Sequence, residues 1–263
     1  MILLSSVVYF KQKFENNLSY INKFVYVLVK SLFESLNIIF IQRKIYYINL
    51  FETLRKILWT SLPIATLTVG ASSAIYSIHV APESSERGLS VYLGGLVALS
   101  LVREGAPVMG ALAIISQFCS GMTAQIGSMK ITEQLDAMKT MKVYPSGYLL
   151  TPMLCAGSIG FPLVIIICVF IGIFINYIVS NLLIHITYSL YFSSILNSLK
   201  VNDISLALLK SSVFGFCVML VSYTCGVLTS GGSKGVGNAT KLSVVINFAL
   251  VIILDYIITA LWI

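Results

Sequence analysis

Charged residues are scarce in this sequence. Only 10% of the 263 residues are Asp, Glu, Lys or Arg, whereas 57% are hydrophobic and the mean hydropathy is +0.93. A soluble domain carries about 25% charged residues, so this chain cannot cover its apolar surface with a polar exterior in water. The composition therefore excludes a water-soluble enzyme, a DNA-binding domain and a disordered chain. It predicts an all-α integral membrane protein.

Motifs for catalysis, metal binding and nucleotide binding are also missing. The cysteines form no CxxC pair, and His79 and His185 are isolated from them and from each other, which argues against a metal site. The glycine-rich run from Gly231 to Lys241 lacks the pattern of a Walker A loop, and we interpret it as a tight turn with glycines at positive φ. No nucleophile and base stand at a catalytic spacing. We therefore expect no catalytic residue, no metal and no cofactor, and no enzymatic activity in this chain.

Five apolar stretches are long enough to cross a membrane. A sixth, residues 24–41, carries Lys30 and Glu34 on one helical face, which favours an amphipathic helix lying in the membrane interface. We divide the chain into a basic, amphipathic interfacial region (1–56) and a transmembrane domain (57–263). The predicted spans are 59–80, 105–126 after a broken or re-entrant segment from residue 89, 148–180, 204–228 and 242–263.

Basic residues are distributed unevenly between the two sides of these spans. With the N-terminus inside, thirteen lysines and arginines fall in inner segments, whereas only Arg87 and Lys200 fall in outer loops. This asymmetry follows the positive-inside rule and accounts for most of the net charge of +7. A nucleic-acid partner is therefore not needed to explain the charge.

Five charged residues lie in or beside the apolar spans: Arg103, Glu104, Asp203, Lys210 and Asp255. A charge at the bilayer centre costs about 2.5–3.5 kcal/mol on insertion scales, so such residues face a bundle interior or a cavity. Arg103 and Glu104 are interpreted either as a local ion pair in a broken helix or as groups at a substrate cavity. Asp203 and Lys210 are seven residues apart and share a helical face, although Lys210 has the length to snorkel outward. The isolated Asp255 needs a cation from another helix.

The segment 128–147 is expected to form a short amphipathic helix between two spans. Ser128 or Thr132 is expected to cap it, and Pro145 to end it. Because the segment is rich in Met and carries mixed charges, docking on a soluble partner is favoured over binding to the lipid surface. The apolar residues at helical spacing are Ile131, Leu135, Met138 and Met141.

Several ungapped motifs in order resemble the MlaE/YrbE permease family over about residues 50–263. They are REGAPVMGAL (103–112), GSMKITEQLDAMKTMKVYP (127–145), KSSVFG (210–215), GGSKGVGNAT (231–240) and the pair Asp255-Tyr256. The resemblance implies a permease of an ABC transporter that moves phospholipid or a related lipid between membranes. It also implies a homodimer with separate ATPase subunits, an MCE-domain substrate-binding protein on the other side of the membrane, an N-terminal interfacial helix and about five spans.

The same resemblance implies two sets of functional residues. Arg103 and Glu104 correspond to the lipid pocket, and Lys210 and Asp255 to the intramembrane charges of the family, so all four are expected to bind lipid. The helix that contacts the ATPase lies within 130–143 and includes Ile131, Thr132, Glu133, Gln134, Leu135, Asp136, Met138 and Met141. The chain departs from the family pattern at Gln117 and Gln125, where Arg and Glu are usual, and at Lys234, where Glu is usual.

Two questions remain open at the level of sequence. Lys outnumbers Arg thirteen to four, and Ile and Asn are abundant, which is typical of an AT-rich genome. Together with the plastid branch of the family, this favours the plastid inner envelope membrane, with a bacterial inner membrane as the alternative.

The competing functions are an ion-coupled transporter or channel that uses the intramembrane charges, and a membrane scaffold that transports nothing.

Overall fold

The computed structural model describes residues 21–38 and 47–262, and this part of the chain is helical without strands. Five of its helices are long and apolar enough to cross a membrane, which confirms the predicted fold class. The helices are α1 (21–38), α2 (Tyr47–Glu86), α3 (Ser90–Ile131), α4 (Gln134–Thr140), α5 (Ser146–Ile184), α6 (Tyr188–Ser198), α7 (Val201–Val227) and α8 (Gly232–Trp262).

The spanning helices extend beyond the apolar stretches that predict them. At 40 residues, α2 is about 60 Å long, roughly twice the hydrocarbon thickness, and it continues through the predicted domain boundary between residues 56 and 57. The last span begins at Gly232 rather than at residue 242. Only Gly231 (φ 89°) and Gly232 (φ 70°) of the glycine-rich run have positive φ, and the remainder forms the first turns of α8.

The prediction of a broken or re-entrant helix near Arg103 is wrong. Helical structure continues through this point in a π-helical turn, Leu101–Gly105, and a second π turn follows at Ile115–Cys119. A π turn accommodates one extra residue without reversing the chain. Pro107 follows the first π turn and has no N–H to donate, and the Arg103 carbonyl four residues earlier accepts a hydrogen bond from Lys210 (2.9 Å) instead.

The connection between α3 and α5 also differs from its prediction. The Thr132 hydroxyl donates to the Ser128 carbonyl (2.9 Å) directly after the end of α3, whereas Glu133, with φ 59°, is the residue that precedes α4. Neither Ser128 nor Thr132 caps α4. The helix ends at Thr140, and Pro145 precedes α5 instead of terminating α4.

Buried hydrogen bonds join the spans. Between α2 and α5, Ser73 donates to the Gly172 carbonyl (2.6 Å), and Asn176 donates to the Ser73 carbonyl (2.9 Å). Tyr191 of α6 donates to Asn176 Oδ1 (2.8 Å), which fixes this short helix to the bundle. Because these polar groups are buried and satisfied, they set the register of the helices.

The amphipathic α1 packs one face against the bundle. Ser31, Ser35 and Ile38 are buried, Lys30 is exposed, and Ser146 of α5 donates to Glu34 (2.7 Å). This agrees with an amphipathic helix beside the spans. Residues 39–41 of the predicted helix lie outside the described residues.

Candidate functional site

Three helices bring the charged residues of the spans into one cluster. Arg103 and Glu104 lie in the first π turn of α3, Asp203 and Lys210 lie on one face of α7, and Asp255 lies on α8. We call these five residues the charge cluster. Asp203 and Lys210 share a face of α7, as their seven-residue spacing predicts, and they pair with the consecutive residues Arg103 and Glu104 of α3.

Asp203 holds the guanidinium group of Arg103. The Nε atom donates to Asp203 Oδ1 at 2.7 Å, and a terminal guanidinium nitrogen lies 2.6 Å from the same oxygen. The other oxygen of Asp203 accepts the backbone N–H of Lys200 (2.9 Å), which ties the carboxylate to the beginning of α7. Asp203 therefore orients Arg103 from a fixed position.

Lys210 has no exposed side-chain surface, and its ammonium group lies between two carboxylates. Its Nζ atom lies 2.9 Å from Glu104 Oε2 and 2.8 Å from Asp255 Oδ1, and it also donates to the Arg103 carbonyl (2.9 Å). Thr259 of α8 donates to the second oxygen of Glu104 (3.1 Å). The cation that Asp255 requires is therefore Lys210, which does not snorkel outward.

The structure contradicts one of the two interpretations of Arg103 and Glu104. Within the described residues, they pair with Asp203 and Lys210 on α7 and not with each other. The interpretation of Arg103 and Glu104 as a local ion pair is therefore wrong. The cluster contains two cations and three carboxylates, so its attraction joins α3, α7 and α8 across the bundle.

A cavity of about 660 Å³ opens beside the cluster. The Arg103 side chain is 51% exposed and that of Glu104 is 44% exposed, whereas Lys210 lies behind them. The arrangement can therefore present a guanidinium group, held from one side, to an anionic group in the cavity. The cavity is lined by Leu99, Ser100, Arg103, Glu104, Lys200, Asn202, Asp203, Leu206, Thr259 and Trp262.

Sequence reasoning did not anticipate two features of this site. It noted the face shared by Asp203 and Lys210 but did not assign Asp203 to Arg103, because pairing between helices has no local signal. It also missed Thr259, whose four-residue spacing from Asp255 on α8 places both on one side of the helix. No group of His, Cys, Asp and Glu suited to a metal ion occurs in the described part of the chain.

The predicted ATPase-contacting segment divides into buried and exposed parts. Leu135 is 2% exposed and belongs to the hydrophobic core, and Met138 packs against that core. Gln134 and Met141 are exposed. Leu135 therefore anchors α4 to the spans and offers a partner almost no surface.

The remaining residues of that segment lie at the two ends of the α3–α4 turn. Ile131 is the last residue of α3, and Thr132 and Glu133 are exposed in the turn. Asp136 of α4 accepts hydrogen bonds from Lys130 (2.8 Å) and Lys139 (2.7 Å), and these bonds lower its pKa to about 2. The turn thus presents a fixed set of charges outside the membrane.

Comparison with known proteins agrees with this architecture. Residues 50–261 match the family described as Permease MlaE. A probable ABC transporter permease protein of Synechocystis sp. is 32% identical over 208 residues, which is 79% of each chain. The protein TRIGALACTOSYLDIACYLGLYCEROL 1, chloroplastic, of Arabidopsis thaliana is 29% identical over 82% of this chain and 62% of its own length. A probable ABC transporter permease protein of Pyropia yezoensis is 31% identical over 76% of each chain. Since the family match covers most of the described chain and all five spans, this membrane protein belongs to the MlaE permease family.

Proposed function

We propose that this chain is the permease subunit of an ABC transporter that moves phospholipid or a related lipid between membranes. In this proposal the chain binds and passes the lipid, and a separate ATPase subunit hydrolyses ATP. The observation that carries the proposal is the cavity of about 660 Å³ between three spanning helices, α3, α7 and α8, with the half-exposed Arg103 in its wall.

Arg103 and Glu104 contact the lipid headgroup in this proposal. A guanidinium group has five N–H donors in a planar fork that matches a phosphate, and only two of its nitrogens face Asp203. Lys210 has no exposed surface, so it does not contact the lipid in this proposal. It instead holds Glu104 in place, and Asp255 holds Lys210 from the other side. The acyl chains need only the apolar surfaces that the spans already offer.

The ATPase subunit acts on the segment 130–143. Closure of the ATP-bound subunits pushes the exposed side of α4, which includes Gln134 and Met141. Leu135 and Met138 pass this displacement into the core on which they pack. The spans then change the shape of the lipid cavity.

The proposed assembly is a homodimer with two ATPase subunits and an MCE-domain protein on the other side of the membrane. The proposed division is a transmembrane domain of residues 57–263 and a basic N-terminal region of residues 1–56, whose last ten residues are the first turns of α2. We place the protein in the plastid inner envelope membrane, because relatives occur as a chloroplastic protein of Arabidopsis thaliana and as a permease of Synechocystis sp.. The alternative location is a bacterial inner membrane.

Native mass spectrometry of the tagged protein, gently extracted from its own membrane, tests the proposal. The expected result is a dimer that carries two ATPase subunits and bound phospholipid or glycolipid. Arg103→Gln should reduce the bound lipid severalfold. Arg87→Gln, which removes an exposed arginine paired with Glu83 outside the cavity, should leave it unchanged.

Three results would count against the proposal. A lipid-free monomer without ATPase, in detergent that preserves lipid on a control permease, would overturn it. Ion transport by the chain reconstituted alone would favour the ion-coupled alternative. A complex with partners but without lipid would favour a scaffold.

A further inference from the structure

One face of α3, on its inner half, is open over most of its length in the described chain, with crevices towards α2 and α5 beside Gln125 and towards α8 beside Ser128. It consists of Ser116, Gln117, Ser120, Gly121, Ala124, Gln125 and Ser128, of which Ser120 and Ala124 are half-buried and the others exposed. We call this surface the amide face. Gln117 lies 14 residues before Ile131, the last residue of α3, which is about 20 Å at 1.5 Å per residue. This distance places Gln117 inside a hydrocarbon layer about 30 Å thick.

The polar groups of this face are not all satisfied. Ser116 donates to the Ala113 carbonyl (2.9 Å) and Ser120 to the Ser116 carbonyl (2.5 Å) within the helix itself. The side-chain amides of Gln117 and Gln125 have no hydrogen-bond partner among the described residues. Lipid chains cannot donate or accept hydrogen bonds, so an amide at this depth requires protein or water.

The shape of the face favours protein. Small residues recur at every fourth position (Ser116, Ser120, Ala124 and Ser128), a spacing that lets the backbones of two helices approach closely in membranes. A Cβ atom built at Gly121 meets nothing within 4 Å. A neighbouring side of the same helix is filled, because a Cβ atom at Gly127 would lie 2.9 Å from Thr229 Oγ1.

We propose that the amide face packs against the same face of a second copy of this chain, with the two Gln117 amides hydrogen-bonded across a two-fold axis. A carboxamide contains both donor and acceptor, so it is complementary to itself under two-fold symmetry. The face carries no charged residue, and pairing two copies therefore brings no like charges together. This inference rests on the homodimer of the proposed function and places its contact surface on α3.

Disulfide crosslinking in native membranes tests the contact. The variant is Gly121→Cys in the full chain, expressed with its partners, with the half-buried Cys155 and Cys217 replaced by alanine. The matched control is Phe170→Cys on α5, whose native side chain is 70% exposed. Oxidation with copper phenanthroline should crosslink the Gly121→Cys variant into covalent dimers, because a disulfide joins Cα atoms about 4.4–6.8 Å apart. The Phe170→Cys variant should stay monomeric on denaturing gels.

Substitution of the amide gives a second readout. Gln117→Leu should weaken association of the purified chains about three- to twentyfold, the range expected for a hydrogen bond between membrane helices. Gln117→Asn, which keeps a carboxamide, should retain more of the association than Gln117→Leu. Phe170→Leu should leave it unchanged.

Co-purification of two differently tagged copies separates the possible failures. Copies that associate without a Gly121→Cys crosslink would overturn the placement on α3 and leave the homodimer intact. Fast labelling of Gly121→Cys by a membrane-impermeant maleimide, without crosslinking, would show that the face lines a water-filled path and would also overturn it. Copies that never associate would overturn both the contact and the proposed homodimer.

Discussion

The ammonium group of Lys210 lies 2.9 Å from a carboxylate oxygen of Glu104, a residue 106 positions earlier in the chain. The same ammonium group lies 2.8 Å from Asp255. One fully buried cation thus neutralises carboxylates from two other helices. The contact explains how a chain so poor in charge keeps ionisable groups inside a membrane.

Removing that cation should destabilise the fold. Lys210→Met leaves Glu104 and Asp255 without a cation, which should cost about 3 kcal/mol, the lower end of the range for broken buried pairs because Glu104 is 44% exposed. Thermal unfolding of the purified protein in detergent measures the loss. The triple variant Lys210→Met, Glu104→Gln, Asp255→Asn should recover most of it, because no uncompensated charge then remains.

The matched control for Lys210→Met is Arg103→Gln. Its guanidinium group is 51% exposed, and the Asp203 carboxylate that loses it still accepts the Lys200 N–H in the first turn of α7, so the loss of stability should be clearly smaller. Equal losses for the two variants would contradict the structural role assigned to Lys210.

Two residues of the segment proposed to contact the ATPase should have separable effects. Leu135→Ala removes a core side chain and should destabilise the packing of α4 by about 2–5 kcal/mol. Met141→Ala, at a residue 68% exposed, should leave stability unchanged and weaken binding of the ATPase subunit. Thermal unfolding and ATPase co-purification measure the two effects. A stable Leu135→Ala protein, or full ATPase binding by Met141→Ala, would contradict this division.

Gly157 of α5 and Gly215 of α7 let the two helices pack closely. A Cβ atom at Gly157 would lie 2.8 Å from the Gly215 carbonyl oxygen, so Gly157→Ala forces the helices apart and should cost about 1–3 kcal/mol. Gly237→Ala on α8 meets open space and should instead stabilise its helix by about 0.5–1 kcal/mol. Opposite shifts in unfolding temperature are the expected result, and a shift of the same sign would refute the close approach.

The ion pairs of Asp136 with Lys130 and Lys139 should persist in mildly acidic solution. Hydrogen bonds from Lys130 and Lys139 lower the pKa of Asp136 from 3.8 to about 2. Its folded-state pKa is thus below the unfolded value, so its contribution to stability is present above about pH 3.8 and is lost as the pH falls towards 2. Carbon-13 NMR of labelled Asp side chains measures the titration. In a Lys130→Met, Lys139→Met variant the midpoint should rise towards 3.8.

The sequence predicted the spans because membrane insertion depends on local hydropathy. The predicted stretch 148–180 lies within α5 (Ser146–Ile184), and the five crossings agree with the structure. Helix ends were less predictable. Hydrogen bonding continues through polar residues such as Lys234, where hydropathy has already fallen.

The sequence predicted which residues carry charge within the membrane, but only partly which of them pair with each other. The shared face of Asp203 and Lys210 follows from helical periodicity, and the need of Asp255 for a cation follows from the cost of a lone carboxylate. The choice of Asp203 for Arg103 depends on how α3 and α7 cross. Likewise, the burial of Leu135 depends on which side of α4 meets the spans, which an amphipathic pattern does not specify.

The cluster also imposes an order on biogenesis. Its helices leave the ribosome as α3, α7 and α8, so Glu104 is synthesised first, Lys210 second and Asp255 last. Before α7 emerges, Glu104 has no partner from another helix of the cluster, and before α8 emerges Lys210 has only one of its two carboxylates. The C-terminal helix therefore completes the neutralisation of the cluster, and a chain truncated before Asp255 would lack its last partner.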